Sequence, residues 1–156
     1  MNIAFFLVPK KDVIYLPYHS TMRQALEKME HHRYTAIPLI DEKGKYVGTL
    51  TEGDLLWKMK NTPGLNFEGT ERVFLQEVPR RVKNAPVRIE AEVEDLIPLA
   101  IVQNFGPVVD DSGTFIGMIR RREVIEYLAR LAAQETGEAN SGRARLEAVG
   151  ARRKRS

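Results

Sequence analysis

The chain contains no cysteine. Disulfides, thiolate zinc sites and cysteine nucleophiles are therefore excluded, and the absence agrees with the reducing cytoplasm that we expect as its location. Long apolar runs are missing too. The longest one near the start, Ile3 to Val8, falls far short of the roughly 20 residues a membrane span needs. No basic leader or small-residue cleavage site accompanies it, so we expect neither a signal peptide nor membrane contact. There is no Gly-x-Ser-x-Gly elbow, no Walker loop and no paired His-Glu metal motif. Carboxylates are plentiful, but spacing singles out no acid–base pair, and we expect no enzyme. His31 and His32 are adjacent and would project about 100° apart on a helix, which one metal ion does not easily bridge. No acidic residue stands four positions after either one, so His19, His31 and His32 read as surface side chains and no metal is expected.

The body of the chain also lacks net charge. Of 24 basic and 21 acidic residues, six basic and three acidic ones fall in residues 135–156. The excess of +3 thus sits in the tail, and residues 1–134 are balanced. A specific nucleic-acid-binding fold normally carries its basic footprint on its body, so none is expected here. Residues 135–156 have no sustained apolar stripe and read as a disordered basic tail. Salt-sensitive, non-specific nucleic-acid contact through that tail is the most it offers.

What is present is an internal repeat. Ile37-Pro38-Leu39-Ile40-Asp41-Glu42-Lys43-Gly44-Lys45-Tyr46-Val47-Gly48 returns 69 residues on, from Ile37 to Gly106, as Gly106-Pro107-Val108-Val109-Asp110-Asp111-Ser112-Gly113-Thr114-Phe115-Ile116-Gly117. Each copy reads as a strand, a turn and a second strand. A helix precedes each pair. Met22, Ala25, Leu26 and Met29 mark the first, with Thr21 and Gln24 placed for a capping box. Val93, Leu96, Ile97 and Ala100 mark the second, where Pro98 predicts a break or kink. A further helix follows each pair, marked by Leu55, Leu56 and Met59 and then by Val124, Ile125, Leu128 and Leu131. Short strands are expected near Val13–Leu16 and Val87–Ile89. The order is β-α-β-β-α twice, an α/β (α+β) chain whose halves need each other to cover their sheets and share one core. We place repeat 1 at 5–60, a linker at 61–70 and repeat 2 at 71–134. With 156 residues, 43% of them hydrophobic, the chain is long enough for this.

These residues resemble the CBS-domain family, in which two repeats packed with pseudo-twofold symmetry form a Bateman module. Tyr34-Thr35-Ala36-Ile37-Pro38-Leu39-Ile40-Asp41 and Lys45-Tyr46-Val47-Gly48-Thr49-Leu50-Thr51-Glu52-Gly53-Asp54-Leu55-Leu56 carry the resemblance, which covers roughly residues 5–132. Within the family, the chain is similar to small stand-alone CBS proteins that bind cyclic di-AMP. Tyr34–Pro38, Gln103-Asn104-Phe105-Gly106, Gly117-Met118-Ile119-Arg120-Arg121-Arg122 and Glu77-Val78-Pro79-Arg80 carry that closer match, with Arg120 standing where those relatives usually have Thr. The resemblance implies homodimers and a partner protein that reads the ligand state.

Two readings fit Thr51-Glu52-Gly53-Asp54. One is a helix cap. The other uses the same helix start to hold a phosphate, with Thr51 donating its hydroxyl and Asp54 accepting from ribose hydroxyls. Arg120, Arg121 and Arg122 hold the matching place in the second repeat. They are either a solvated face or an anion site, since arginines at a helix start oppose the dipole unless an anion is present. By resemblance, Tyr34, Thr35, Ala36 and Ile37 line an adenine pocket, and Lys11 to Ile14, including Val13, form its other wall. Ile37 also reads as plain core. The function this implies is regulatory: the module senses an adenine nucleotide, cyclic di-AMP first and AMP, ADP or ATP next, and modulates a partner. No other cofactor is expected. The alternative is a ligand-independent interaction scaffold of the same fold.

Overall fold

The computed structural model describes residues 1–137 and 148–150. In chain order the elements are β1 (Val8–Pro9), β2 (Leu16–Pro17), α1 (Met22–His32), β3 (Ala36–Ile40), β4 (Tyr46–Thr51), α2 (Glu52–Lys60), β5 (Val87–Arg88), α3 (Ile97–Val102), β6 (Phe105–Val109), β7 (Phe115–Arg120) and α4 (Arg121–Thr136). Two sheets result, β2-β3-β4 and β1-β7-β6-β5. The repeat reappears as register. Ala36 faces Thr51 across β3 and β4, and Phe105 faces Arg120 across β6 and β7, each residue 69 positions on. Both hairpins slip register at the same place, between Leu39 and Ile40 and between Val108 and Val109.

The turns of the two hairpins meet. Tyr46 N–H donates to Gly113 O at 3.4 Å, and Phe115 N–H donates to Gly44 O at 2.8 Å. The matched residues Lys45 and Thr114 form the bridge between them, so the pseudo-twofold axis passes there. Gly44 and Gly113 sit at φ +79° and +83°, left-handed backbone that glycine adopts without strain.

Each half builds its own core rather than sharing one. Leu16, Met22, Ala25, Ile37, Leu39, Leu50 and Leu75 fill the first. Ile3, Val87, Val93, Leu96, Val108, Ile119 and Val124 fill the second. A third, smaller cluster of Val13, Ile40 and Phe115 joins them, with Tyr15, Tyr46, Val8 and Met118 packed on it. Each sheet covers one face with its own helices, so the seam is left to the few side chains beside the axis.

The capping box of α1 is formed, with Gln24 N–H to Thr21 Oγ at 3.2 Å and Thr21 N–H to Gln24 Oε1 at 2.9 Å. The break at Pro98 is present: a 3-10 turn over Val93–Leu96 passes into α3, with the proline in its first turn, where no N–H is needed. The expected strand near Val13 is shorter than its apolar pattern, because a 3-10 turn at Lys10–Asp12 precedes Val13 and pairing begins only at Leu16. Residues 3–9 leave their own half. β1 pairs antiparallel with β7, and Ile3 is buried in the second core. The tail beyond residue 137, except 148–150, lies outside the described residues. No helix among the described residues is long and apolar enough to cross a membrane.

Candidate functional site

A cleft of about 420 Å³ runs along the seam between the halves, within the roughly 300–1,000 Å³ usual for small-ligand sites. A larger depression of about 940 Å³ lies against α1 and α2, but it draws on the first half alone. The seam cleft draws on both. One wall is Asp12, Val13 and Ile14 with Arg33, Tyr34, Thr35, Ala36 and Pro38; the other is Phe105, Met118, Arg120 and Arg122, with Val8 and Asn104 completing it.

Local sequence explains how these residues arrive. α1 ends at Arg33, which takes left-handed backbone at φ 57°. That turn reverses the chain into β3 and leaves Arg33 and Tyr34 at the cleft mouth. Such a conformation costs a non-glycine residue roughly 1–2 kcal/mol. It is held by Tyr34 N–H donating to Met29 O at 2.9 Å and Arg33 N–H to Glu30 O at 3.1 Å. On the other wall, β7 runs straight into α4. Arg120 is the N-cap of α4 and its side chain does not cap it. Asn104 O takes the Arg121 N–H at 3.1 Å. Arg33, Arg120 and Arg122 against Asp12 make the cleft cationic, and the positive end of the α4 dipole adds to it. Arg122 is also paired with Glu126 at 2.9 Å on its solvent side.

Six of the expected site residues thus come together: Val13, Tyr34, Thr35, Ala36, Arg120 and Arg122. Five are elsewhere. Lys11 is exposed on the 3-10 turn beside Asp12. Ile37 is fully buried core. Arg121 turns inward and donates from Nε to Gln103 O at 2.7 Å. Thr51 and Asp54 complete a capping box at the start of α2: Asp54 N–H to Thr51 Oγ at 3.2 Å and Thr51 N–H to Asp54 Oδ2 at 2.9 Å. Asp54 is 2% exposed, and its Oδ1 accepts from the Arg81 N–H at 3.0 Å.

Among the lining residues, Val8, Arg33, Pro38, Asn104, Phe105 and Met118 were not expected. The repeat offset was the signal for two of them. Thr35 and Ala36 match Asn104 and Phe105, and a pseudo-twofold axis brings matched residues to opposite sides of one seam. Among the described residues, no group of three His, Asp or Glu side chains is placed to hold a metal ion.

The CBS domain family profile matches residues 7–61 and 77–130. A CBS domain-containing protein of Dictyostelium discoideum is 28% identical over 137 residues, which cover 84% of this chain and 94% of that protein. Among solved structures, the CbpB protein of Listeria monocytogenes in complex with c-di-AMP superposes with a TM-score of 0.72 at 20% identity, covering 85% of this chain and 98% of that one. CBSX2 in complex with AMP superposes with a TM-score of 0.66 at 22% identity, covering 84% and 98%. CBS-domain proteins are in general regulatory and non-catalytic. With two matched copies of the motif, two sheets related about the Lys45–Thr114 bridge and a cleft walled by both halves, this chain belongs to the CBS-domain family as a tandem pair.

Proposed function

We propose that the chain is a regulatory module that senses an adenine nucleotide in the seam cleft and conveys its presence to a partner protein. Cyclic di-AMP is the first candidate; AMP, ADP and ATP follow. The observation that carries this is the composition of the cleft, with an aromatic face and small side chains on one half and arginines at an uncapped helix start on the other. Tyr34 is 40% exposed, and its ring offers a stacking face to a base. Ala36 leaves room for close approach. Arg120, Arg122 and the N–H groups that follow Arg121 at the start of α4 suit phosphate oxygens. That proteins of the same fold are solved with c-di-AMP and with AMP supports the choice of ligand class.

The mechanism follows from the two walls. A ligand that touches both halves binds one relative placement of them better than others, and it shifts their equilibrium by that difference alone. The small seam cluster around Phe115 resists such a shift less than either core would. Homodimerisation, a protein partner and a cytoplasmic setting belong to this proposal.

The test is isothermal titration calorimetry of the full chain with cyclic di-AMP, AMP, ADP and ATP. Saturable binding of one of them at micromolar or tighter affinity, weakened at least tenfold in Tyr34→Ala, is the expected result. No binding by any of the four overturns the sensor. It would leave a ligand-independent interaction scaffold, a reading favoured by Ile101 and Val102, exposed side by side at the end of α3.

A further inference from the structure

Of the buried polar side chains outside the seam cleft, Asp54 and Gln103 both hydrogen-bond the segment that enters the second repeat. Asp54 accepts from the Arg81 N–H at 3.0 Å. Gln103 is 4% exposed. Its Oε1 accepts from the Ala85 N–H at 2.9 Å, and its Nε2 donates to Ala85 O at 3.3 Å and to Phe105 O at 3.2 Å. The carboxamide therefore meets both backbone groups of one residue with an acceptor and a donor side by side. A nucleobase edge with a ring nitrogen and an exocyclic amine presents the same pair.

The matched place in the other half is empty of such contacts. Leu16 and Val87 hold the same register against β3 and β6, so Ile14 corresponds to Ala85. Tyr34 corresponds to Gln103, and Glu123 to Asp54. Among the described residues, no partner meets the N–H or C=O of Ile14, and Ile14 and Tyr34 line the seam cleft. The segment around Ala85 is held further still. Tyr46 Oη donates to Asn84 O at 2.8 Å, and the Arg81 guanidinium lies 5.5 Å from the Trp57 ring. Burial pushes the Tyr46 phenol above its ordinary pKa and keeps it a donor.

We propose that the pseudo-twofold axis relates the seam cleft to a second inter-repeat cleft, which Gln103 and Asp54 occupy from within, Gln103 filling the backbone pair of Ala85 and Asp54 tying down Arg81, so that the chain takes at most one nucleotide. This rests on the sensor reading for its ligand count but not for the closure itself. The buried pair is a built-in occupant. Losing either partner would leave buried donors or acceptors unmet, which keeps the cleft shut while the seam cleft stays open.

The experiment has two arms, both on the full chain. Residue-resolved amide hydrogen exchange compares Ala85 and Arg81 with Ile14. Calorimetry with cyclic di-AMP and, separately, AMP counts ligand per chain. The expected results are Ala85 and Arg81 amides exchanging at least tenfold more slowly than Ile14, loss of the Ala85 protection in Gln103→Ala, and at most one equivalent bound. If Asp54→Ala, the matching test at Arg81, does not fold, Gln103→Ala carries the test alone. Ala85 protection that survives Gln103→Ala, or a second equivalent bound by the unmodified chain, would overturn the proposal. If neither nucleotide binds, the sensor reading fails and the exchange arm still decides the closure.

Discussion

The helices α2 and α4 begin at matched positions, and their beginnings are built in opposite ways. At α2, Thr51 and Asp54 cap the free N–H groups with their own side chains, and the leftover carboxylate oxygen binds Arg81. At α4 the same places hold Arg120 and Glu123, no side chain caps the start, and the arginines reach toward a cleft. One start is capped by its own side chains and the other by none. A repeated unit thus yields two unlike helix starts because a handful of residues at equivalent positions differ while the register around them does not.

Charge reversal tests the open side of this contrast and carries the largest expected effect. Arg120→Glu with Arg122→Glu replaces two phosphate-seeking groups by two that repel phosphate. Charge-assisted hydrogen bonds contribute about 1.5–3 kcal/mol each, so affinity for the preferred nucleotide should fall at least 100-fold by calorimetry. Affinity that stays within threefold of the unmodified chain would place the phosphates elsewhere and dissolve the distinction between the two helix starts.

A pair of glycines tests how differently the two entry segments lie on their sheets. A Cβ at Gly117 would stand 2.2 Å from Val8 O, a backbone atom held by the β1–β7 pairing. At the matched Gly48, the nearest atom is the Arg80 side-chain Nε at 2.7 Å. Backbone cannot step aside as a long side chain can. Gly117→Ala should therefore destabilise by about 2 kcal/mol, or roughly 4–8 °C in melting temperature for a chain of this size. Gly48→Ala should cost less than half of that. Equal losses in thermal melts would mean that β1 and the segment at Arg80 seat alike.

Much of the repeated frame was legible in the sequence, and the unread part, where the halves differ, has a common cause. The 69-residue spacing fixes β3, β4, β6 and β7, since pattern and turn glycines are local properties of the chain. The capping box of α1 and the break at Pro98 are local too. The crossing of Ile3–Pro9 to the second sheet is not, because a short apolar run does not specify which edge it joins. Thr51-x-x-Asp54 reads equally as cap or ligand site until Arg81 folds back against it and uses the remaining oxygen. Gln103 stands in the same position: its role depends on Ala85, 18 residues away. Side chains whose partners come from elsewhere in the chain are where reading by motif stops.

The hairpin turns give the smallest effect and the finest comparison. Asp41 Oδ1 accepts from the backbone N–H groups of Lys43 and Lys45, each at 2.9 Å. Asp110 Oδ1 accepts the matching pair from Ser112 and Thr114, each at 2.9 Å, and the Ser112 hydroxyl as well, also at 2.9 Å. The Ser112 hydroxyl first, and the backbone N–H of Thr114 next, hold the Asp110 carboxyl below its ordinary pKa. A carboxyl whose folded pKa is depressed stabilises the fold above the ordinary carboxylate range and loses that contribution as pH falls through the folded value, because the unfolded chain takes up its proton first. Asp110→Asn should therefore flatten the acid limb of a melting-temperature profile below about pH 4, and Ser112→Ala should flatten it partway. An acid limb unchanged in both variants would mean that the extra hydroxyl adds nothing. The two turns would then differ in sequence without differing in strength.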